Sequence, residues 1–109
     1  MVVGRRNKSL KMENLESIKA KLKNKLPYIK EKYGVKKLYI FGSYVRGEQT
    51  PESDIDILVE FEKGKKTFMN YMGLKFYLEE LFGKKVDLII KEAVKQKLRK
   101  YIYSEAVDV

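Results

Sequence analysis

Residues 37–62 read KLYIFGSYVRGEQTPESDIDILVEFE, and this stretch decides the fold. Its first part, Lys37–Phe41, is rich in aromatic and β-branched residues and predicts a short strand. That strand ends abruptly at a glycine and a serine, and residues 47–53 have the composition of a turn. Polar and apolar residues then alternate from Asp54 to Phe61, which predicts a second strand with Asp54 and Asp56 on one face. Because the two strands lie close together along the chain, at least one antiparallel pair is expected.

A long helix is predicted before this stretch. Apolar residues recur every three or four positions from Met12 to Tyr33, which is the helical period. Ser9 is the predicted N-cap, and Gly34 is the predicted C-terminal stop. Pro27 lies inside the pattern and removes a backbone donor, so the helix is expected to kink or to restart there. Residues 1–8 show no such period and are predicted to be a flexible basic arm.

Two further helices and a third strand are predicted after residues 37–62. A helix from about Thr67 to Phe82 is closed by Gly83, and a strand follows over Lys85–Ile90. A last helix from about Glu92 to Tyr103 is expected to bury four side chains, those of Val94, Leu98, Tyr101 and Ile102. The order α-β-α-β-α-β-α predicts one α+β domain over residues 9–109, with a small three-stranded mixed sheet packed by helices.

The composition narrows the chemistry that is available. Among 109 residues there is no cysteine and no histidine. Disulfides, zinc–thiolate sites and base catalysis by imidazole are therefore excluded. Any metal ion must be held by carboxylates, which favours a hard cation such as Mg²⁺ or Mn²⁺.

The charge is unevenly distributed along the chain. The net charge is +9, yet residues 38–62 contain six acidic residues and a single arginine. An acidic centre between basic flanks is not the broad basic face of a nucleic-acid-binding protein, so no direct contact with nucleic acid is expected. The acidic centre suits a cation site, with outlying lysines that attract a polyphosphate or an acidic partner. Alternatively, most of these lysines belong to the solvated faces of helices. The apolar runs are too short to span a membrane, so a cytoplasmic location is expected.

Asp54 and Asp56 are the first candidates for chemistry. Residues two apart on a strand project from the same face, so these carboxylates stand side by side. Two adjacent like charges repel each other, and a divalent cation between them would relieve that repulsion. For an isolated Asp-x-Asp, the simpler interpretation is that both side chains lie in solvent on the polar face of the strand.

The turn at Gly42 and Ser43 favours the first interpretation. A strand that ends in Gly-Ser and leads into a helical turn presents backbone N–H groups to phosphate oxygens. Glycine allows a close approach of the backbone, and Ser43 adds a hydroxyl. Arg46 lies three residues on, where it can reach either a phosphate or the acidic pair.

These residues together resemble a known family. Gly-Ser-x-x-Arg-Gly, followed by Ser-Asp-x-Asp and an apolar run, is similar to the minimal nucleotidyltransferases of the DNA polymerase β-like superfamily. The resemblance covers roughly residues 38–103 and implies a nucleotidyltransferase-like fold. It implies that Gly42 and Ser43 grip the triphosphate of ATP, with Arg46 and Ser53 as further nucleotide-binding residues.

The resemblance also implies a set of three metal-binding and catalytic carboxylates. Asp54 and Asp56 match two of them, and Asp87 in the third predicted strand is the match for the third. An unpaired aspartate within an apolar strand is otherwise costly, although a surface-facing strand residue remains the alternative. The set implies two Mg²⁺ or Mn²⁺ ions, which orient the triphosphate and activate an acceptor hydroxyl for attack on the α-phosphate.

The acceptor is the least constrained part of the prediction. Minimal single-domain members of the family usually pair with a HEPN-domain toxin, which implies an antitoxin that transfers AMP to a tyrosine of that toxin. A non-catalytic antitoxin that acts by occlusion is one alternative, and a small-molecule nucleotidyltransferase similar to antibiotic-modifying enzymes is another. Self-association, the preferred base and the choice between Mg²⁺ and Mn²⁺ are left open.

Overall fold

The computed structural model describes residues 13–109, and its first element is a helix that begins later than predicted. Helix α1 spans Leu15–Tyr33. Its N-cap is Asn14, whose side chain accepts the Ser17 N–H while the Ser17 hydroxyl accepts the Asn14 N–H. Because Asn14 has an extended backbone, the prediction of one helix from Ser9 onward is wrong. Ser9 and the predicted basic arm lie outside the described residues.

The end of α1 follows the prediction more closely. The helix continues through Pro27 as a single element and does not restart there. It ends at Gly34, which has a left-handed backbone (φ 69°) and donates its N–H to the Lys30 carbonyl. This is the expected glycine stop, and it turns the chain directly into the first strand.

Within residues 13–109 the sheet contains four strands rather than the predicted three. They are β1 (Val35–Phe41), β2 (Ile55–Phe61), β3 (Val86–Ile90) and β4 (Val107–Asp108), arranged in the order β3-β2-β1-β4. Strand β1 is antiparallel to β2 and to β4, whereas β2 and β3 are parallel. The mixed sheet and the antiparallel β1–β2 pair are therefore confirmed. Strand β4 is too short, at two residues, to show a period in the sequence.

Four helical elements lie between the strands after β1. Helix α2 is a single turn over Ser43–Arg46, and α3 spans Phe68–Phe82 between Thr67 as N-cap and Gly83 as C-cap. The predicted last helix divides into a 3₁₀ turn over Lys91–Ala93 and helix α4 over Gln96–Glu105. No helix within residues 13–109 is both long and apolar enough to cross a membrane.

The two faces of β2 pack against different layers. Ile55, Ile57 and Val59 belong to the main core, which α1 and α3 cover. Leu58 points to the opposite face and packs in a smaller cluster with Phe41 and Val94. This is the alternation predicted from the sequence, and it places Asp56 on the side away from the main core.

Helix α4 buries less than predicted. Val94 is buried and Ile102 is partly buried, but Leu98 is 44% exposed and Tyr101 is 73% exposed. The prediction that Leu98 and Tyr101 are buried is wrong. Because α4 lies over the small cluster on one face of the sheet, only one narrow side of the helix meets other described residues.

Candidate active site

The candidate site lies in one transverse row of the sheet. Phe41, at the end of β1, is paired with Asp56 on β2, and Asp56 is paired with Asp87 on β3. Partners in register project from the same face of a sheet, so the two carboxylates lie side by side on adjacent strands. The next row is apolar and consists of Tyr39, Leu58 and Ile89. The acidic row therefore forms the polar end of an otherwise apolar face.

The turn after β1 brings the backbone against Asp56. Gly42 has φ 84° and ψ −153°, a conformation that side chains disfavour. A Cβ atom at this position would lie 2.1 Å from Asp56 Oδ2 and 2.9 Å from its Cγ. The glycine is therefore required both by the backbone and by the neighbouring carboxylate. It starts α2, whose first N–H groups have no partner within the helix.

Asp54 and Ser53 lie at the entrance to β2. Asp54 is exposed and comes directly before the strand, which begins one residue later than predicted. The following N–H, that of Ile55, donates to the Lys85 carbonyl at 3.0 Å and anchors this end of the strand. The Ser53 hydroxyl accepts the Thr50 N–H at 2.8 Å, so its side chain closes the turn before Asp54. A contact between Ser53 and a nucleotide stays a prediction.

Asp56 is the electrostatically perturbed member of the group. Burial, together with the negative charges of Asp87 and Asp54, raises its pKa to about 6, whereas Arg46 acts in the opposite direction. The two neighbouring carboxylates are exposed, and Asp56 is half-buried. The site thus concentrates negative charge that the described residues do not balance.

These side chains have the donor type of a magnesium site, but they are not gathered into one. Carboxylate oxygens are the ligands that Mg²⁺ and Mn²⁺ prefer. Within residues 13–109, no group of three or more acidic side chains is already arranged to hold a metal ion. Three carboxylates without a cation repel one another, so ligation would require their side chains to turn toward a common point. Once the three side chains have turned in this way, the donor set fits a hard divalent cation.

Arg46 takes part in a contact that the sequence does not predict. Its guanidinium pairs with Glu48 and with Glu105, each at 2.9 Å. The other carboxylate oxygen of Glu105 accepts the Gly42 N–H at 2.7 Å. Glu105 is the last residue of α4 and lies far from Gly42 in the sequence, so no local pattern identifies it. It belongs to the site by geometry alone.

A cavity of about 500 Å³ opens beside this turn. Three predicted site residues, Gly42, Arg46 and Asp56, contribute to its wall. Its remaining lining residues are Phe41, Tyr101, Ile102, Ser104 and Glu105. A space of this size accommodates a nucleotide-sized ligand, and its wall includes a glycine of the turn, an arginine and two acidic residues.

The predicted residues are therefore brought together in most cases. Asp56 and Asp87 share a row, Gly42 touches Asp56, and Asp54 precedes it by two residues. The Ser43 hydroxyl forms no hydrogen bond with another residue in the described part of the chain. Their roles in binding and catalysis are predictions that rest on this geometry.

The sequence matches a known family over most of its length. A family profile described as a nucleotidyltransferase domain matches residues 22–109. The protein adenylyltransferase MntA of Thermococcus cleftensis is 41% identical over 100 residues, which cover 92% of this chain and 97% of that protein.

Solved structures agree with the sequence match. A structure provisionally named a minimal nucleotidyltransferase is 33% identical, covers 89% of this chain and 97% of its own, and superposes with a TM-score of 0.76. A complex of a tri-AMPylated HEPN toxin of Shewanella oneidensis with an MNT antitoxin contains a chain of the same fold. That match has 19% identity and a TM-score of 0.59, and it covers 84% of this chain and 70% of the other. The chain therefore belongs to the nucleotidyltransferase family, as an enzyme of its minimal type.

Proposed function

We propose that this nucleotidyltransferase transfers AMP from ATP to a hydroxyl group, in a reaction that depends on divalent metal ions. One observation carries the proposal: Gly42 touches Asp56, and Asp56 lies in register with Asp87. The Gly42 turn and the row of carboxylates thus meet at the wall of the cavity, where Gly42 and Asp56 both contribute to the lining. Such a site suits a triphosphate and its counter-ions.

Each part of the site has a separate task in this proposal. The turn at Gly42 and Ser43 binds the phosphates through backbone N–H groups and the serine hydroxyl. Arg46 lies in the wall of the same cavity and balances phosphate charge. Asp54, Asp56 and Asp87 would hold two ions, Mg²⁺ or Mn²⁺. Ions bound there supply charge neutralisation at the triphosphate and lower the pKa of the acceptor hydroxyl.

The chemical step is an in-line displacement at phosphorus. The acceptor oxygen forms a bond to the α-phosphorus of ATP, and the bond from that phosphorus to the bridging oxygen of the β-phosphate breaks. Pyrophosphate leaves with the electron pair of that bond. The proton of the acceptor hydroxyl passes to a carboxylate. Asp87 is suited to this because it is exposed and lies on the edge strand β3, next to Asp56.

We infer that the acceptor is a tyrosine of a HEPN-domain toxin, so that the enzyme acts as an antitoxin. The inference is supported by the adenylyltransferase relative and by the AMPylated toxin seen with the MNT antitoxin of similar fold. Phe68 and Met69 at the start of α3 are 76% and 78% exposed, which is typical of a surface that contacts another protein.

The proposal is tested by following the label from ATP. The full chain is incubated with Mg²⁺, the proposed HEPN-domain partner and ATP labelled at the α-phosphate or, separately, at the γ-phosphate. Nucleotide transfer places α-label but no γ-label on the partner. The double variant Asp54→Ala/Asp56→Ala should abolish labelling, and Glu52→Ala, an exposed acid in the turn before β2, should retain it.

Two results would contradict the proposal in different ways. A wild-type protein that neither binds nor consumes ATP with Mg²⁺ would contradict nucleotide transfer itself. Neutralisation of the toxin by the double variant without any labelling would leave occlusion as the better explanation of antitoxin action.

A further inference from the structure

Glu105 occupies the groups that are expected to bind phosphate. One carboxylate oxygen, Oε2, accepts the Gly42 N–H at 2.7 Å. The other, Oε1, accepts a hydrogen bond from Arg46 Nη1 at 2.9 Å. The side chain is 21% exposed and lies in the wall of the cavity that also contains Asp56. A single carboxylate thus accepts hydrogen bonds from both the backbone amide of Gly42 and the guanidinium of Arg46.

The C-terminal segment holds Glu105 in this position. Glu105 ends α4, and the chain then continues along the edge of the sheet as β4. The Val109 N–H donates to the Leu38 carbonyl at 3.1 Å, and Lys37 pairs with Asp108 at 2.8 Å. The carboxylate is therefore placed by an ordered strand on the edge of β1.

A carboxylate and a phosphate present the same chemistry to these donors. Each offers two negatively charged oxygens, which amide N–H groups and guanidinium groups bind by charge-assisted hydrogen bonds. The Gly42 N–H is one donor with one acceptor, so it serves Glu105 or a phosphate oxygen but not both in full. Glu105 also adds negative charge next to Asp56, which makes ionisation of the Asp56 carboxyl less favourable.

We propose that Glu105 is an internal competitor of the nucleotide, whose carboxylate must leave the Gly42 amide and Arg46 before a triphosphate binds there. This inference rests on the proposed function, because it takes the turn at Gly42 to be the phosphate-binding element. It links nucleotide binding to the segment formed by α4 and β4. The opposite role, in which Glu105 prepares Arg46 for phosphate, predicts a change in affinity of the opposite sign.

The test is the affinity for ATP, measured by calorimetry with and without Mg²⁺. Glu105→Gln removes the charge and keeps the size of the side chain, and it should bind ATP roughly tenfold more tightly than wild type. Glu105→Ala should show a gain in the same direction. Glu48→Gln is the matched control, since Glu48 also pairs with Arg46 at 2.9 Å but does not contact the Gly42 amide. Its affinity should change by less than about threefold.

The outcomes separate the competing explanations. Unchanged or weaker binding by both Glu105 variants would overturn the competition. An equal gain in Glu48→Gln would also overturn it, because any nearby negative charge would then have the same effect. If none of the four proteins binds ATP, the proposed function fails and this inference fails with it.

Discussion

The contact between Gly42 and Asp56 makes a quantitative prediction about stability. Gly42 has a positive φ of 84°, and an added Cβ would lie 2.1 Å from Asp56 Oδ2. Gly42→Ala therefore carries two separate costs. The backbone must hold alanine in a conformation that disfavours it, and the Asp56 carboxylate must move out of its place.

The two costs are of similar size and can be separated by a control. The backbone cost at Gly42, whose φ and ψ lie in a region essentially confined to glycine, is about 1–3 kcal/mol. Gly47→Ala carries only a backbone cost, about 1–2 kcal/mol for a left-handed residue. Among residues 13–109, no heavy atom beyond the chain neighbours of Gly47 lies within 4 Å of the position that its added methyl group would take. Displacing a packed neighbour adds about 1–3 kcal/mol. Gly42→Ala should therefore lower the free energy of unfolding by about 2–6 kcal/mol, more than Gly47→Ala does.

The assay is urea unfolding followed by circular dichroism, for the single variants and for a double-mutant cycle with Asp56→Ala. The second substitution removes the two closest atoms, leaving the Asp56 Cβ at 3.2 Å from the new methyl group. Gly42→Ala should thus cost at least about 1 kcal/mol less in the Asp56→Ala background. Equal costs for Gly42→Ala and Gly47→Ala, with no coupling to Asp56, would refute the close approach of the turn to the acidic row.

Three further predictions concern a buried hydroxyl, a carboxylate and the acidic row. The Tyr44 hydroxyl is buried without a hydrogen-bond partner among residues 13–109. Tyr44→Phe should therefore leave the free energy of unfolding unchanged or raise it by about 1 kcal/mol. A clear decrease in that free energy would show that the hydroxyl forms a hydrogen bond. The Val86 N–H and then Lys75 hold the pKa of Glu79 in the folded protein below its ordinary value of 4.5. The ionised Glu79 carboxylate therefore stabilises the fold above pH 4.5, and this contribution is lost as the pH falls through the pKa of Glu79 in the folded protein. Glu79→Gln should therefore lower the melting temperature near neutral pH and have no effect at strongly acidic pH, whereas a constant difference would contradict the ionic contribution. Mg²⁺ should raise the melting temperature of the wild type but not that of Asp54→Asn/Asp56→Asn, and equal shifts in both would place the metal elsewhere.

The parts of the fold that local patterns determine were predictable from the sequence. The glycine stop of α1 at Gly34 and the alternation along β2 depend on residues that are adjacent in the chain. The same is true of the Gly42 turn, because its glycine and the following helical turn are sequence neighbours. Asp87 was placed through the family resemblance and not by a period, and its register with Asp56 is a finding of the structure.

The parts that depend on distant contacts were not predictable in this way. Strand β4 has two residues, and it is defined by pairing with Tyr39 and Ile40 on β1. Glu105 reaches Gly42 from the end of α4, directly before that strand. Leu98 and Tyr101 fit a helical apolar pattern, yet they are exposed because no other described element covers that side of α4.

The most direct test of the central claim is the location of a bound metal–nucleotide complex. Substoichiometric Mn²⁺ is added with ATP to ¹⁵N-labelled protein, and the loss of amide signals is measured, because a paramagnetic ion broadens the nearest signals first. The account predicts that Gly42, Asp54, Asp56 and Asp87 lose intensity first. Tyr28 on α1 and Tyr77 on α3, whose rings pack together at a tilt of 40°, should keep theirs. Broadening that begins at the tyrosines, or no selective broadening at all, would contradict a single metal–nucleotide site at the acidic row.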